Sequence, residues 1–146
     1  MFSWQVKKEG VSKASAKRVW EIFTNFERLP EWDESAESCK LFGPVAVGTE
    51  GQMQMKGQSP IRFVIEAVEK ERLYRDKAKM FGATFSFSHQ LIPLNNGVRI
   101  IHTFRVSGFL APILRLFMKK KLELSMQKAL ENLIKMTETQ QDYINQ

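Results

Sequence analysis

Apolar and polar residues alternate with a period of two along most of the chain, and with a helical period in two stretches. Phe2, Trp4 and Val6 alternate with Ser3, Gln5 and Lys7, the pattern of a half-buried strand. Ser12 or Ser15 caps the helix expected next. There Ala16, Val19, Trp20 and Phe23 share a face, while Lys17, Arg18 and Glu21 point outward. FERLPEWDE forms a second short helix or turn, broken near Pro30. From Ser35 to Ser107 the pattern is strand and turn. Met53 and Met55 share one side, and Ile61, Phe63, Ile65 and Ala67 face away from Arg62, Val64, Glu66 and Val68. Tyr74, Asp76, Ala78 and Met80 oppose Arg75, Lys77 and Lys79. Phe85, Phe87, His89 and Leu91 alternate with Ser and Thr, and Val98, Ile100, His102, Phe104 and Val106 complete the set. Asn96-Gly97 is a strong hairpin turn signal between the last two strands.

The last quarter of the chain carries the second helical pattern. Pro112 suits the first turn of a helix, and no Gly or Pro follows it. Met118, Leu122, Ser125, Ala129, Leu133 and Met136 line one face at three- and four-residue spacing. A helix of ~28 residues would be ~42 Å long, and a wide surface must bury its apolar stripe. The expected plan is α+β: an antiparallel curved sheet of about seven strands wrapped on a long C-terminal helix, with two short helices after the first strand. The space between helix and sheet is where function is expected.

Composition narrows this plan without changing it. The 146 residues suit one domain spanning 1–146. At 43% hydrophobic and 26% charged, the chain has ordinary globular composition. The N-terminus lacks an apolar signal region, so a cytoplasmic location is expected. Cys39 has no second cysteine to pair with, and one Cys with two His gives no zinc spacing, so neither a metal nor another cofactor is expected. The net charge of +6 comes from dispersed cations, with no phosphate-binding loop or RNA-binding motif, so nucleic acid is not an expected partner.

Several stretches resemble one family. ASAKRVWEIFTNFERLPEWDES, with Val19-Trp20 and Leu29-Pro30-Glu31-Trp32, is similar to the opening of the SRPBCC superfamily, the helix-grip group that holds START domains, pollen-allergen-like proteins and bacterial polyketide cyclase/dehydrase-like proteins. Gly43 to Gly51 resembles its turn into the third strand. LIPLNNGVRIIHTFRV resembles its final hairpin and LELSMQKALENLIKMTE its closing helix. The resemblance covers nearly the whole chain and implies a cavity that takes lipids, polyketides, hormones or other apolar molecules. Members include both enzymes and simple binders, so the fold alone does not choose between them.

Strand alternation adds a polar constellation. With Asn95 opposite Val98, His102 falls opposite Leu91 and His89 opposite Phe104, so the two His are diagonal on one face. With Met80 opposite Ala83, Tyr74 falls opposite His89. Arg75, Lys77, Arg99 and Arg105 take the other, solvent face, so Tyr74, Asp76, His89 and His102 point inward. Such a set can orient a ligand's hydroxyl or carbonyl, or be satisfied core polar groups, and these two readings stand level. Acid–base catalysis by His89, His102, Asp76 or Tyr74 ranks third. The expected ligand-binding residues are Trp32, Met53, Met55, Phe63, Ile65, Tyr74, Phe85, Phe87, His89, His102, Phe104, Leu114, Phe117, Met118 and Leu122, with Phe42 a further cavity candidate.

The expected function is binding of a hydrophobic small molecule. The alternative is a cyclase or dehydratase acting on a polyketide-like substrate, and a third reading is an interaction or stress-response module with a filled core. Alternation of the hairpin turns places Gly57 to Pro60, Met80 to Gly82 and Phe109 to Phe117 at one end, as the entrance. GFLAPILRLFMKKK is expected to roof the pocket or make a dimer contact first, with an anionic membrane second.

Overall fold

The computed structural model describes residues 2–144. Its strands are β1 (Ser3–Ser12), β2 (Ala36–Leu41), β3 (Glu50–Met55), β4 (Ile61–Glu69), β5 (Leu73–Met80), β6 (Ala83–Leu94) and β7 (Gly97–Ser107). Its helices are α1 (Ala16–Thr24), a 3-10 turn (Phe26–Arg28) leading into α2 (Leu29–Trp32), and α3 (Ala111–Ile144). The seven strands form one antiparallel sheet in the order β1-β7-β6-β5-β4-β3-β2. β1 is one edge and β2 the other, so the chain starts and ends its sheet at β1–β7. This is the expected helix-grip plan.

Local chemistry explains the helix positions. Of the two candidate caps, Ser15 is the one used, its side chain accepting from the Arg18 N–H at 3.1 Å. Ser12 instead ties β1 to α3: its hydroxyl lies 2.8 Å from that of Thr137 and accepts from the Ala14 N–H at 3.1 Å. The Trp4 indole N–H donates to the Ala111 carbonyl at 2.8 Å, fixing the start of α3 against β1. At 34 residues α3 is longer than the pattern predicts. Its apolar stripe packs on β1, on β7 and on the short helices.

Two strand details depart from simple alternation. The β6–β7 hairpin turns at Asn95-Asn96, with Leu94 opposite Gly97. The register is therefore shifted by two residues from the expected one. The reason is steric: a Cβ at Gly97 would collide with the Ser12 carbonyl, and Gly97 has φ 148°. Gly97 is a point of close approach between β7 and the β1–α1 connection, which only Gly allows. An even shift keeps every side chain on its face. In β4 a bulge lies between Ile65 and Ala67. It turns Ala67 to the outer face with Arg75 and brings Val68 inward opposite Tyr74, the reverse of the expected assignment.

The core divides in two. One cluster joins α1, α2 and the C-terminal half of α3 to Phe63, Ile65, Tyr74, Leu91 and Ile100. The other joins Trp4, Val6, Phe85 and Val106 to Ala111 and Met126. Leu133 is fully buried in the first, whereas Leu116 on the outer face of α3 is 83% exposed. Leu133→Ala should therefore lower unfolding free energy by about 2–5 kcal/mol. Leu116→Ala should change it by less than about 0.5 kcal/mol. Urea denaturation of the two variants checks this, and equal losses would show that α3 is seated on a different face.

Candidate functional site

The two packed clusters leave a strip of the concave face between them incompletely covered. Asp76, Ala78, Phe87 and Phe104 from the sheet point into this strip, with Met53 beside them and Leu114, Met118 and Leu122 from α3 across from them; all are only half-buried. At its α1 end stands the polar constellation. Tyr74 pairs with His89 across β5–β6, and His89 pairs directly with His102 across β6–β7. The two imidazoles are thus opposite each other, correcting the diagonal placement. Their ring centres are 3.7 Å apart and the rings are nearly perpendicular. Phe23, Trp32 and Phe87 wall them in edgewise or tilted.

Burial controls the electrostatics of this set. The Tyr74 hydroxyl donates to Asp76 Oδ2 at 2.7 Å. Desolvation pushes the Asp76 carboxyl up to about 7, the Tyr74 hydrogen bond pulls it partly back, and the nearby Glu66 charge adds to the rise. Desolvation also raises Tyr74, helped by the Asp76 charge. It lowers His102 to about 3 and His89 well below the usual imidazole range, the latter aided by its neighbour. Both imidazoles are therefore neutral at physiological pH, each with one N–H donor and one acceptor nitrogen. Among the described residues, both nitrogens of His89, Nε2 of His102 and Nε1 of Trp32 are buried with no hydrogen-bond partner. Each such group costs about 1–3 kcal/mol relative to a satisfied one.

The other expected residues are distributed as follows. Trp32, Phe63, Ile65 and Phe85 are buried in the two clusters. Met53 packs on the first cluster, and Met55 is half-buried at the end of β3. Phe117 is 78% exposed, on the far side of α3 from the strip, and so does not line it. Phe42 is also exposed, stacked under the Lys40 and Arg62 cations. The sequence does not mark Lys8 as a neighbour of the site. Lys8 lies opposite His102 in register, and continuing the Trp4–Val6 alternation by one step would have found it. Cys39 is buried near Asp76; desolvation, then that carboxyl's charge, pushes its thiol up to about 12, so it is not a nucleophile. Among the described residues no three His, Cys, Asp or Glu side chains gather to hold a metal.

The sequence model for "polyketide cyclase / dehydrase and lipid transport" matches residues 3–138. The chain belongs to this family. No curated protein matches the chain in sequence. Among solved structures, the polyketide cyclase/dehydrase fold seen here is similar to the Zhui aromatase/cyclase from a Streptomyces species, with TM-score 0.79, 10% identity and 94% of each chain covered. It is similar to norcoclaurine synthase from Thalictrum flavum, solved with dopamine and hydroxybenzaldehyde, with TM-score 0.69, 16% identity, and 91% of this chain and 84% of that one covered. Ara h 8.0201 gives TM-score 0.72 at 15% identity, over 93% of this chain and 98% of that one. At these identities the likeness shows the helix-grip fold alone.

The Asp76 shift has a sign that can be tested. Folded, the carboxyl keeps its proton up to about pH 7; its ordinary value is 3.8. Between those values the unfolded chain binds fewer protons, so this group's contribution to stability falls as pH rises. Asp76→Asn keeps an acceptor for Tyr74 and removes the buried charge. It should stabilise the protein at pH 8 by about 1–3 kcal/mol, with the gain fading toward pH 4. Thermal unfolding of both proteins across that range checks it. A pH-independent difference would show that Asp76 is not desolvated.

Proposed function

We propose that the protein binds an apolar small molecule bearing hydroxyl or carbonyl groups, laid along the half-buried strip between the concave sheet and α3. One observation carries this reading: buried, unpartnered nitrogens of Trp32, His89 and His102 stand beside an apolar, incompletely covered surface. A ligand oxygen would satisfy them, while Met53, Phe87, Met118 and Leu122 take its apolar body. Phe87 lies edgewise to both imidazoles, with ring centres 5.5 and 5.6 Å away, and is itself half-buried. Its rotation is the step that opens the imidazoles to the strip. The family description and the oxygenated aromatic compounds in the norcoclaurine synthase structure support a ligand of this kind.

A second reading rests on Asp76. A carboxyl held near neutral by desolvation, with Tyr74 at 2.7 Å, is suited to exchange protons with a bound ketone or phenol. In that case the protein is a cyclase or dehydratase, with Asp76 as proton acceptor and the neutral imidazoles holding the carbonyl. The Streptomyces aromatase/cyclase with the same fold favours including it.

Native mass spectrometry and thermal shift with matched pairs of compounds separate these readings. Each pair is a polyaromatic or fatty chain with and without an oxygen function. The oxygenated member should bind at least about tenfold more tightly, the worth of one or two buried hydrogen bonds. His89→Leu with His102→Leu should erase that preference and leave the hydrocarbon's affinity. Asp76→Asn should leave binding intact and abolish any turnover of a polyketone. If no apolar compound binds, the binding reading is wrong.

A further inference from the structure

The outer face of the first half of α3 is apolar and faces away from the protein. Ile113, Leu116, Phe117 and Leu124 recur at helical spacing on one side, and Phe109 precedes them; Phe109, Leu116 and Phe117 are 82%, 83% and 78% exposed. The opposite side of the helix, through Ala111 and Met126, packs on β1. The outer side therefore has no role in the core. Phe81 joins the same end of the molecule: its turn neighbour Gly82 would meet Leu110 at 3.0 Å if it carried a Cβ. Phe81 is exposed and holds φ 54°, a conformation costly for a bulky residue. The turn thus holds an aromatic ring out in solvent where Gly or Asn would sit without strain.

Cations outnumber acids along this stretch of the chain. Lys17, Arg28, Arg72, Arg75, Lys77 and Lys128 are all in ion pairs with neighbouring carboxylates. Lys128 pairs with Glu34; among the described residues no ion pair is seen for Arg115, Lys119, Lys120 or Lys121, and Glu123 is the single acid between Phe109 and Leu130. Exposed Phe and Leu among unpaired cations are the two components of binding to an anionic bilayer: apolar insertion, and attraction worth about 1 kcal/mol per cation near the surface. A second copy fits less well, because a two-fold self-contact would bring the same four cations face to face.

We infer that the Phe81 turn and the N-terminal half of α3 form a docking surface for an anionic lipid bilayer. Phe81, Phe109, Leu116 and Phe117 enter the interface, and Arg115 and Lys119 to Lys121 hold the lipid phosphates. Leu114, Met118 and Leu122 lie on the inward side of the same helix, facing the concave strip and away from the docking surface. The docking itself does not depend on the strip carrying a ligand.

The test is co-sedimentation of the full chain with phosphatidylcholine vesicles, with and without about one third phosphatidylglycerol, at low and high salt. The protein should pellet with the anionic vesicles and be released by salt. Replacing Lys119, Lys120 and Lys121 together by Gln should weaken partitioning about a hundredfold, from about fivefold per cation. Phe109→Ser, Leu116→Ser and Phe117→Ser combined should abolish it with the thermal midpoint unchanged, since these side chains are exposed. Three outcomes would overturn the inference: no pelleting on anionic vesicles, pelleting that both variants retain, or a dimer in sedimentation velocity that the Ser variant dissociates while vesicles bind neither protein.

Discussion

A single helix cannot cover a seven-stranded curved sheet, and the rest of the structure follows from how that deficit is met. α3 gives its apolar stripe to β1 and β7, tied there by Trp4 at its start and by Ser12 and Thr137 further along. α1 and the turn after it cover the inner end of β5 and β6, where Phe23 and Phe26 meet Tyr74. Two cores result, one under α1, α2 and the C-terminal half of α3, the other under the N-terminal half of α3. Between them the concave face keeps accessible apolar side chains, an arrangement that close packing would otherwise remove. The strip is thus a direct consequence of where the two covers end.

The polar residues inside follow the same logic. A phenol and two imidazoles under these covers are held neutral, and a carboxyl is raised to titrate near 7, because each charged form would lose its hydration. Neutral groups of this kind discriminate by hydrogen bonding. Groups of this kind can favour an oxygen function on an otherwise apolar molecule over one that leaves them unsatisfied. Tyr74 and Asp76 satisfy each other at 2.7 Å, whereas both nitrogens of His89, Nε2 of His102 and Nε1 of Trp32 find no partner among the described residues. The unsatisfied half of the cluster is the half walled off by Phe87.

The faces of the strands were legible because alternation with a period of two carries that information directly. Tyr74, Asp76, His89 and His102 all came out on the inner face, and the β5–β6 register was set by the Phe81-Gly82 turn. The β6–β7 register differs by two residues from the one the turn signal predicts, because Asn95-Asn96 and Asn96-Gly97 are both good turn sequences. The choice between them is made by the Ser12 carbonyl, which belongs to a distant strand. The β4 bulge left no Gly or Pro to mark it, so Ala67 and Val68 exchanged faces unannounced. The sequence pattern points Phe117 inward because the start of α3 is apolar all round. Only the packing of Ala111 and Met126 against β1 shows which side is in. The unpartnered state of the imidazoles depends on three elements at once, and no local pattern encodes it.

His89 and His102 are buried and held neutral, and in the proposed function their nitrogens take a ligand oxygen. Nitrogen-15 NMR of the two imidazoles tests it directly, with and without an oxygenated apolar compound that the protein binds. Both rings should stay neutral from pH 8 down to pH 5, as their lowered pKa values require. At least one nitrogen resonance should then shift on ligand binding as a hydrogen bond forms. A ring that titrates near its ordinary value of 6.5, or resonances of both rings that ignore the bound ligand, would contradict it.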